Sequence, residues 1–246
     1  MVLDLLALVF GFVHFSVPLV YYGYLRRCLG RPWNVRVDGG YRPRVTVIVP
    51  TYNEASLIED RLENLRDQDY LLERLEVVVV DSGSTDGTAD VVRKWALKNP
   101  NVKVKVLQEP VRRGMNPALN FALKHVSEDA DVFVFTDADC EWRSDALGNA
   151  VKHLSDPRVG AVTCSILPAK DDEGSFESTY RDLNNLVRIA ESKLWSTPIA
   201  HGPFIAFKRD ILEKIGGVPL WTGADDSAAA SLTAFVGYRC LAMPDV

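Results

Sequence analysis

Three polar clusters in this chain hold the residue types that bind phosphate, sugar hydroxyls and metal: 50–54 (Pro-Thr-Tyr-Asn-Glu), 81–88 (Asp-Ser-Gly-Ser-Thr-Asp-Gly-Thr) and 136–139 (Thr-Asp-Ala-Asp). Asp137 and Asp139 straddle one residue, so an extended backbone points both carboxylates the same way. Like charges that close repel unless a cation lies between them. Oxygen donors of this kind suit Mg²⁺ or Mn²⁺, whose remaining positions substrate phosphates can fill. Asp81, directly after an apolar run, can accept hydrogen bonds from a base or ribose. Asp86-Gly87-Thr88 reads instead as a turn and helix cap, so Asp86 is expected to be structural. The same run differs from a calcium loop, because Gly83 and Thr85 stand where acids are needed.

The elements that position these clusters follow from the hydrophobic pattern. Val45–Val49 (VTVIV) and Glu76–Val80 (EVVVV) are nearly all apolar, as parallel strands covered on both faces are. Between them Leu57, Ile58, Leu62 and Leu65 recur at helical spacing. A helix at Ala89–Lys98, a strand at Val102–Leu107, a helix at Pro117–Val126 and a strand at Val132–Thr136 continue the alternation. Alternating strands and helices predict an α/β fold with a mostly parallel, Rossmann-like sheet flanked by helices. In such sheets ligands bind beyond the C-terminal strand ends, where all three clusters fall. A further helix is expected within Asp171–Ser196, and another at Ala228–Val236, for which Asp226 stands at the N-cap position. Trp221 fits either a sugar-stacking role or a buried aromatic, and His201 reads as structural.

Leu5–Leu25 is apolar apart from His14 and Pro18 and is about one bilayer long as a helix, which predicts a transmembrane anchor. Only Asp4 precedes it, and Arg26, Arg27 and Arg31 follow it. The arrangement argues against a cleaved signal and, by the positive-inside rule, puts a single-pass anchor in the cell membrane with the remaining domain cytoplasmic. The expected organisation is an anchor at 1–30, a linker at 31–43 and an α/β domain at 44–246. A net charge of −5 argues against nucleic acid as a partner. Cys28, Cys140, Cys164 and Cys240 lie far apart, without a Cys-x-x-Cys pair, and fit reduced thiols.

Taken in order, PTYNEA (50–55), VDSGSTDGT (80–88), RGMNPALN (113–120), TDAD (136–139) and GADD (223–226) resemble the motifs of glycosyltransferase family 2 across residues 45–246. The resemblance implies a GT-A fold, a nucleotide-sugar donor, probed first among UDP- and GDP-sugars, and inversion at the anomeric carbon. It also implies roles. Pro50, Tyr52 and Glu54 would line the nucleotide pocket, and Asp81 would hold the base. Arg113 would contact phosphate. Asp137 would meet the ribose or the metal, Asp139 would ligate the metal, Asp225 would contact substrate, and Asp226 would be the general base on the acceptor hydroxyl. A lipid-linked or glycan acceptor at the membrane, offering a hydroxyl or a phosphate, is expected from the anchor.

Two departures from the family pattern stand out. Met115 occupies a position where relatives often carry Lys, so the phosphate contact passes to Arg112 or Arg113 or is missing. No Gln-x-x-Arg-Trp follows, and the chain stops at Val246, as a truncated or a short enzyme would. These features leave a non-catalytic nucleotide-sugar-binding scaffold as the rival reading. A haloacid-type phosphatase needs Thr or Val where Glu141 stands, and a nucleotidyltransferase needs a Gly-rich loop after the first strand, which this chain lacks.

Overall fold

The computed structural model describes residues 2–167, 175–223 and 225–246. β1 (Val45–Thr51) and β2 (Leu75–Asp81) pair in parallel over their whole length. Val45, Val47 and Val49 of β1 enter one apolar layer, as do Val77 and Val79 of β2. Ile48, Val78 and Val80 enter the other. Successive strand residues point to opposite faces, so only strands covered on both sides can be apolar throughout.

The first layer is closed by α2 (Ile58–Arg66), α3 (Thr88–Lys98) and α5 (Ala146–His153), through Ile58, Leu62, Leu65, Val92, Trp95 and Leu147. The second is closed by α4 (Met115–Leu123), α7 (Arg209–Lys214) and α8 (Asp225–Phe235), through Ala118, Leu119, Leu212 and Ala229. The remaining strands are β3 (Lys103–Gln108), β4 (Val132–Phe135), β5 (Val159–Thr163), β6 (Ile205–Lys208) and β7 (Arg239–Ala242). Among the described residues the sheet order is β3-β2-β1-β4-β6-β5-β7. Only β6 runs against its neighbours. Exposed Lys103 at the outer edge, on β3, blunts that edge against pairing with another chain.

From β1 the chain winds outward to β2 and β3, then returns to β4 on the other side of β1. The crevice between the C-terminal ends of β1 and β4 is therefore the switch point where an open α/β sheet binds its ligand. The 50–54 and 136–139 clusters flank it.

The N-terminal helix α1 (Val2–Cys28) is about 40 Å long by its 27 residues. Its most apolar stretch has a mean hydropathy of 2.0 and is not buried, so it is long and apolar enough to cross a membrane. Its last turns dock on α6 (Phe176–Leu194). Leu25 and Cys28 pack on Ala190, and the Tyr21 hydroxyl donates to Glu191 Oε1 (3.0 Å). Ser175 caps α6, its hydroxyl accepting from the Ser178 N–H (3.0 Å). Asp171–Gly174, where the expected helix segment begins, lies outside the described residues.

The 31–43 linker is strapped to the domain. The Arg36 N–H donates to Asp156 Oδ2 (2.7 Å), the Asp38 N–H to Ser155 Oγ (3.1 Å), and Arg239 reaches the Trp33 and Asn34 carbonyls. Trp33, Val35 and Tyr41 pack against the first core layer. Hydrogen bonds and burial thus hold the segment between α1 and β1 against the domain.

Candidate active site

At the switch point lies a cleft of about 270 Å³ lined by Pro50, Tyr52, Glu54, Ser82, Arg112, Gly114, Met115, Asp137 and Asp139, among others. Its first wall is the loop after β1. Asn53 takes a left-handed conformation (φ 60°), which Asn tolerates better than most residues, and turns the chain back over β2. There the Asn53 N–H donates to Ser84 Oγ (2.9 Å) and the Glu54 N–H to Thr88 Oγ1 (2.9 Å). Asp86 ties the same loops together: Oδ2 accepts from the Ala55 N–H (2.9 Å), and Oδ1 accepts from the Thr88 hydroxyl (2.6 Å) and N–H (3.0 Å). The Thr88 hydroxyl bond, with the backbone bonds, lowers the Asp86 pKa. Its role is structural, as expected.

Asp81 ends β2 and is only 1% exposed. Its carboxylate accepts from the Ser84 N–H (3.2 Å) and Gln108 Nε2 (3.2 Å), beside Ser82, which reaches the cleft. Arg113 does not line the cleft. Its guanidinium pairs with the buried Glu109 carboxylate, which also accepts from Ser82 Oγ. The cation at the cleft is Arg112, stacked on the Tyr52 ring 4.1 Å from its centroid. The Arg-Arg dipeptide divides because a buried carboxylate must be paired, and Glu109 takes Arg113, which leaves Arg112 for the cleft.

The second wall follows β4. The chain bends at 138–139 instead of continuing extended, yet both Asp137 and Asp139 reach the cleft. The bend is built around Arg61 of α2, a 2% exposed guanidinium that stacks on Trp142 (4.3 Å). Its Nη2 donates to Thr136 Oγ1 (2.6 Å) and its Nη1 to Asn64 Oδ1 (2.5 Å). Burial lowers the Arg61 pKa to about 10, while the charges of Cys140, Asp137, Asp139 and Glu141 pull it back up. A buried positive charge beneath two carboxylates offsets part of their repulsion. Nothing in the periodicity marked Arg61, which sits on the apolar face of α2. An arginine at a core position is the signal that was available.

Thr136 also donates to the Pro203 carbonyl (2.7 Å), and Trp142 Nε1 donates to the same oxygen (2.7 Å). These bonds pull the 201–203 turn against the Asp137 loop. A Cβ on Gly202 would lie 3.0 Å from Asp137 Oδ2 and 3.1 Å from Asp226 Oδ2. The two carboxylates, 89 positions apart in sequence, therefore meet over one glycine. A side chain at 202 would occupy their meeting point. His201 is half-buried, and burial lowers its pKa, with Arg188 adding to the effect. Its backbone N–H donates to Thr163 Oγ1 (3.0 Å), which fixes the 201–203 turn, while the ring Nε2 is buried without a hydrogen-bond partner.

Asp226 stands in the first turn of α8, with Asp225 at its start. The Asp225 side chain and Ala224 lie outside the described residues. Trp221 is 76% exposed, so the buried-aromatic reading does not hold. All four cysteines are free thiols.

Asp137 and Asp139 offer hard oxygen donors from one loop. Among the described residues no group of three or more His, Cys, Asp or Glu side chains could close around a metal unaided. Such a set fits Mg²⁺ or Mn²⁺ completed by diphosphate and water, and does not fit a caged structural metal.

The family model of Glycosyl transferase family 2 matches residues 46–216. Glycosyltransferase AglE of Haloferax volcanii is 28% identical over 200 residues, 78% of this chain and 64% of its own. The O-antigen chain rhamnosyltransferase RfbN of Salmonella typhimurium is 29% identical over 207 residues, 80% of this chain and 62% of its own. The chain thus spans less than two thirds of the length of these relatives. Among solved structures, the mannosyltransferase PcManGT from Pyrobaculum calidifontis, in complex with GDP-Man and Mn²⁺, superimposes with a TM-score of 0.89. It is 49% identical, over 99% of this chain and 67% of that one. Staphylococcus aureus TarS (TM-score 0.64, 23% identical, 82% of this chain and 35% of that one) shares the fold. With this motif order, this sheet and these matches, the chain belongs to Glycosyl transferase family 2 and has a GT-A fold.

Proposed function

We propose that the chain moves a hexose, with inversion, from a nucleoside-diphosphate sugar to a hydroxyl of a lipid-linked or glycan acceptor beside the membrane. GDP-mannose is the first donor to test, because the 49% identical PcManGT is solved with it. The observation that carries the reading is the meeting of Asp137 and Asp226 over Gly202, beside a cleft that also holds Tyr52, Arg112 and Asp139.

The nucleotide lies against Pro50, Tyr52 and Glu54, and Asp81 holds the base from the end of β2. Arg112 faces the phosphates in place of the lysine that Met115 replaces. Asp139 and Asp137 would hold a divalent cation, which would supply charge neutralisation for the departing diphosphate. The Asp226 carboxylate accepts the proton of the acceptor hydroxyl as its oxygen bonds to the anomeric carbon. The bond to the diphosphate breaks on the opposite face. Asp225 contacts substrate beside it. Gly202 leaves room for the reacting sugar between the two carboxylates. α1 spans the bilayer, and Arg26, Arg27 and Arg31 set the domain on the cytoplasmic side.

The test is calorimetry of the full chain with GDP-, UDP- and dTDP-sugars plus Mn²⁺, followed by transfer of radioactive sugar to membrane lipids. Asp226→Asn should keep donor affinity and lower transfer by about 10²–10⁴. Unchanged turnover in that variant removes Asp226 from the mechanism, and binding without turnover in the wild type supports the scaffold reading instead.

A further inference from the structure

The RGMNPALN segment contains two asparagines, Asn116 and Asn120, one helical turn apart on α4. Both side chains reach across roughly a hundred residues to one loop. Asn120 pairs with the backbone of Val218 as a strand would: Oδ1 accepts its N–H (3.1 Å) and Nδ2 donates to its carbonyl (2.7 Å). Asn116 Nδ2 donates to the Pro219 carbonyl (2.6 Å) and the Thr222 carbonyl (3.0 Å). Asn120 Nδ2 also donates to the Asn116 carbonyl (3.1 Å), which joins the two.

The approach is close enough to select the neighbouring residue. Gly217 has φ +85°, and a Cβ there would sit 2.6 Å from Asn120 Oδ1. Only glycine fits both the backbone angle and the space. Asn116 follows Met115, which lines the donor cleft, and Thr222 lies four positions before Asp226.

We propose that Asn116 and Asn120 are positioning residues that clamp the 217–222 loop to α4 and thereby hold Asp226 in register with the donor cleft. The proposal rests on the assignment of Asp226 as the base. A primary amide suits this place, because Val218 presents a donor and an acceptor together and the amide offers its acceptor and donor side by side on one planar group. The clamp lets the donor side of the site hold the acceptor side without touching either substrate.

The decisive variant is Asn120→Asp, which keeps the shape but removes the two Nδ2 bonds and sets a carboxylate against the Val218 carbonyl. Asn116→Ala, on the helix end nearer the cleft, probes the same loop if the first variant does not fold. The expected result is transfer kcat lower by about 10- to 100-fold, as small misplacements of catalytic groups produce. Donor affinity, by calorimetry with GDP-mannose and Mn²⁺, stays within about twofold. Amide exchange speeds in 217–223 and not in β1 or β4. Wild-type kcat in folded variants, or weaker donor binding with kcat retained, overturns the clamp. Asp226→Asn is measured in parallel. Full turnover there overturns the base assignment, and it overturns the clamp too only if the asparagine variants also turn over normally.

Discussion

Gly202→Ala is the most direct probe of the site. The added methyl carbon would sit 3.0 Å from Asp137 Oδ2 and 3.1 Å from Asp226 Oδ2, tighter than nearly all real Cβ contacts. Ordinary carbon contacts lie about 0.5 Å further out. Each carboxylate must retreat by several tenths of an ångström, or the 201–203 turn must lift and strain the Thr136 and Trp142 bonds to Pro203. A shift of about 1 Å in a reacting group can cost about 10²-fold, so a shift of about half that predicts a fall in kcat of about 10-fold. Stability should drop by about 1 kcal/mol, the lower end of overpacking costs, because one side of the methyl faces the cleft. Steady-state transfer with saturating donor, alongside thermal melting, measures both. Gly39→Ala is the control, since a Cβ there meets nothing within 4 Å. A folded Gly202→Ala enzyme with wild-type kcat would refute the reasoning: the two acids would then not need to meet at that point during turnover.

Asp139→Asn should raise the Mn²⁺ concentration giving half-maximal activity by at least about tenfold, read from metal titrations of transfer, while the melting temperature of the metal-free protein stays put. Asp156 offers a pH test. The Arg158 side chain, then the Arg36 and Arg158 N–H groups, hold its carboxyl well below the usual carboxylate range, against the opposing effect of burial. A lowered folded pKa means its contribution is fully present above the unfolded value near 3.9 and is lost as pH falls from there towards the folded value. Asp156→Asn should therefore cost about 2–3 kcal/mol in urea unfolding at pH 7, the scale of charge-assisted bonds, with the deficit shrinking below about pH 4. A deficit that is constant across pH would mean packing, not charge, is what the substitution removes.

Much of the donor half was legible in the residues. The strands VTVIV and EVVVV could be read because a strand covered on both faces is apolar at nearly every position, and Val45–Val49 and Leu75–Asp81 are buried throughout. The acids after each strand end could be placed because that sheet topology leaves one crevice. The later strands β5, β6 and β7, two of them only four residues long, carry no period that separates them from neighbouring helices. The reversed direction of β6 is visible only in its pairing.

By itself the sequence determined the apolar α1, the parallel β1–β2–β4 core and the acidic clusters at its rim, since local pattern and burial dictate these. It also placed Asp137 and Asp139 together, although for the wrong backbone shape. Only the tertiary structure decided which arginine faces the cleft, why Arg61 is buried, how Asn116 and Asn120 hold the 217–222 loop, and that Asp226 meets Asp137 over Gly202. The reason is distance along the chain. Apart from the Arg113–Glu109 pair, four positions apart, these contacts join residues tens to more than a hundred positions apart, and no local propensity encodes which distant partner a guanidinium, an amide or a glycine will meet.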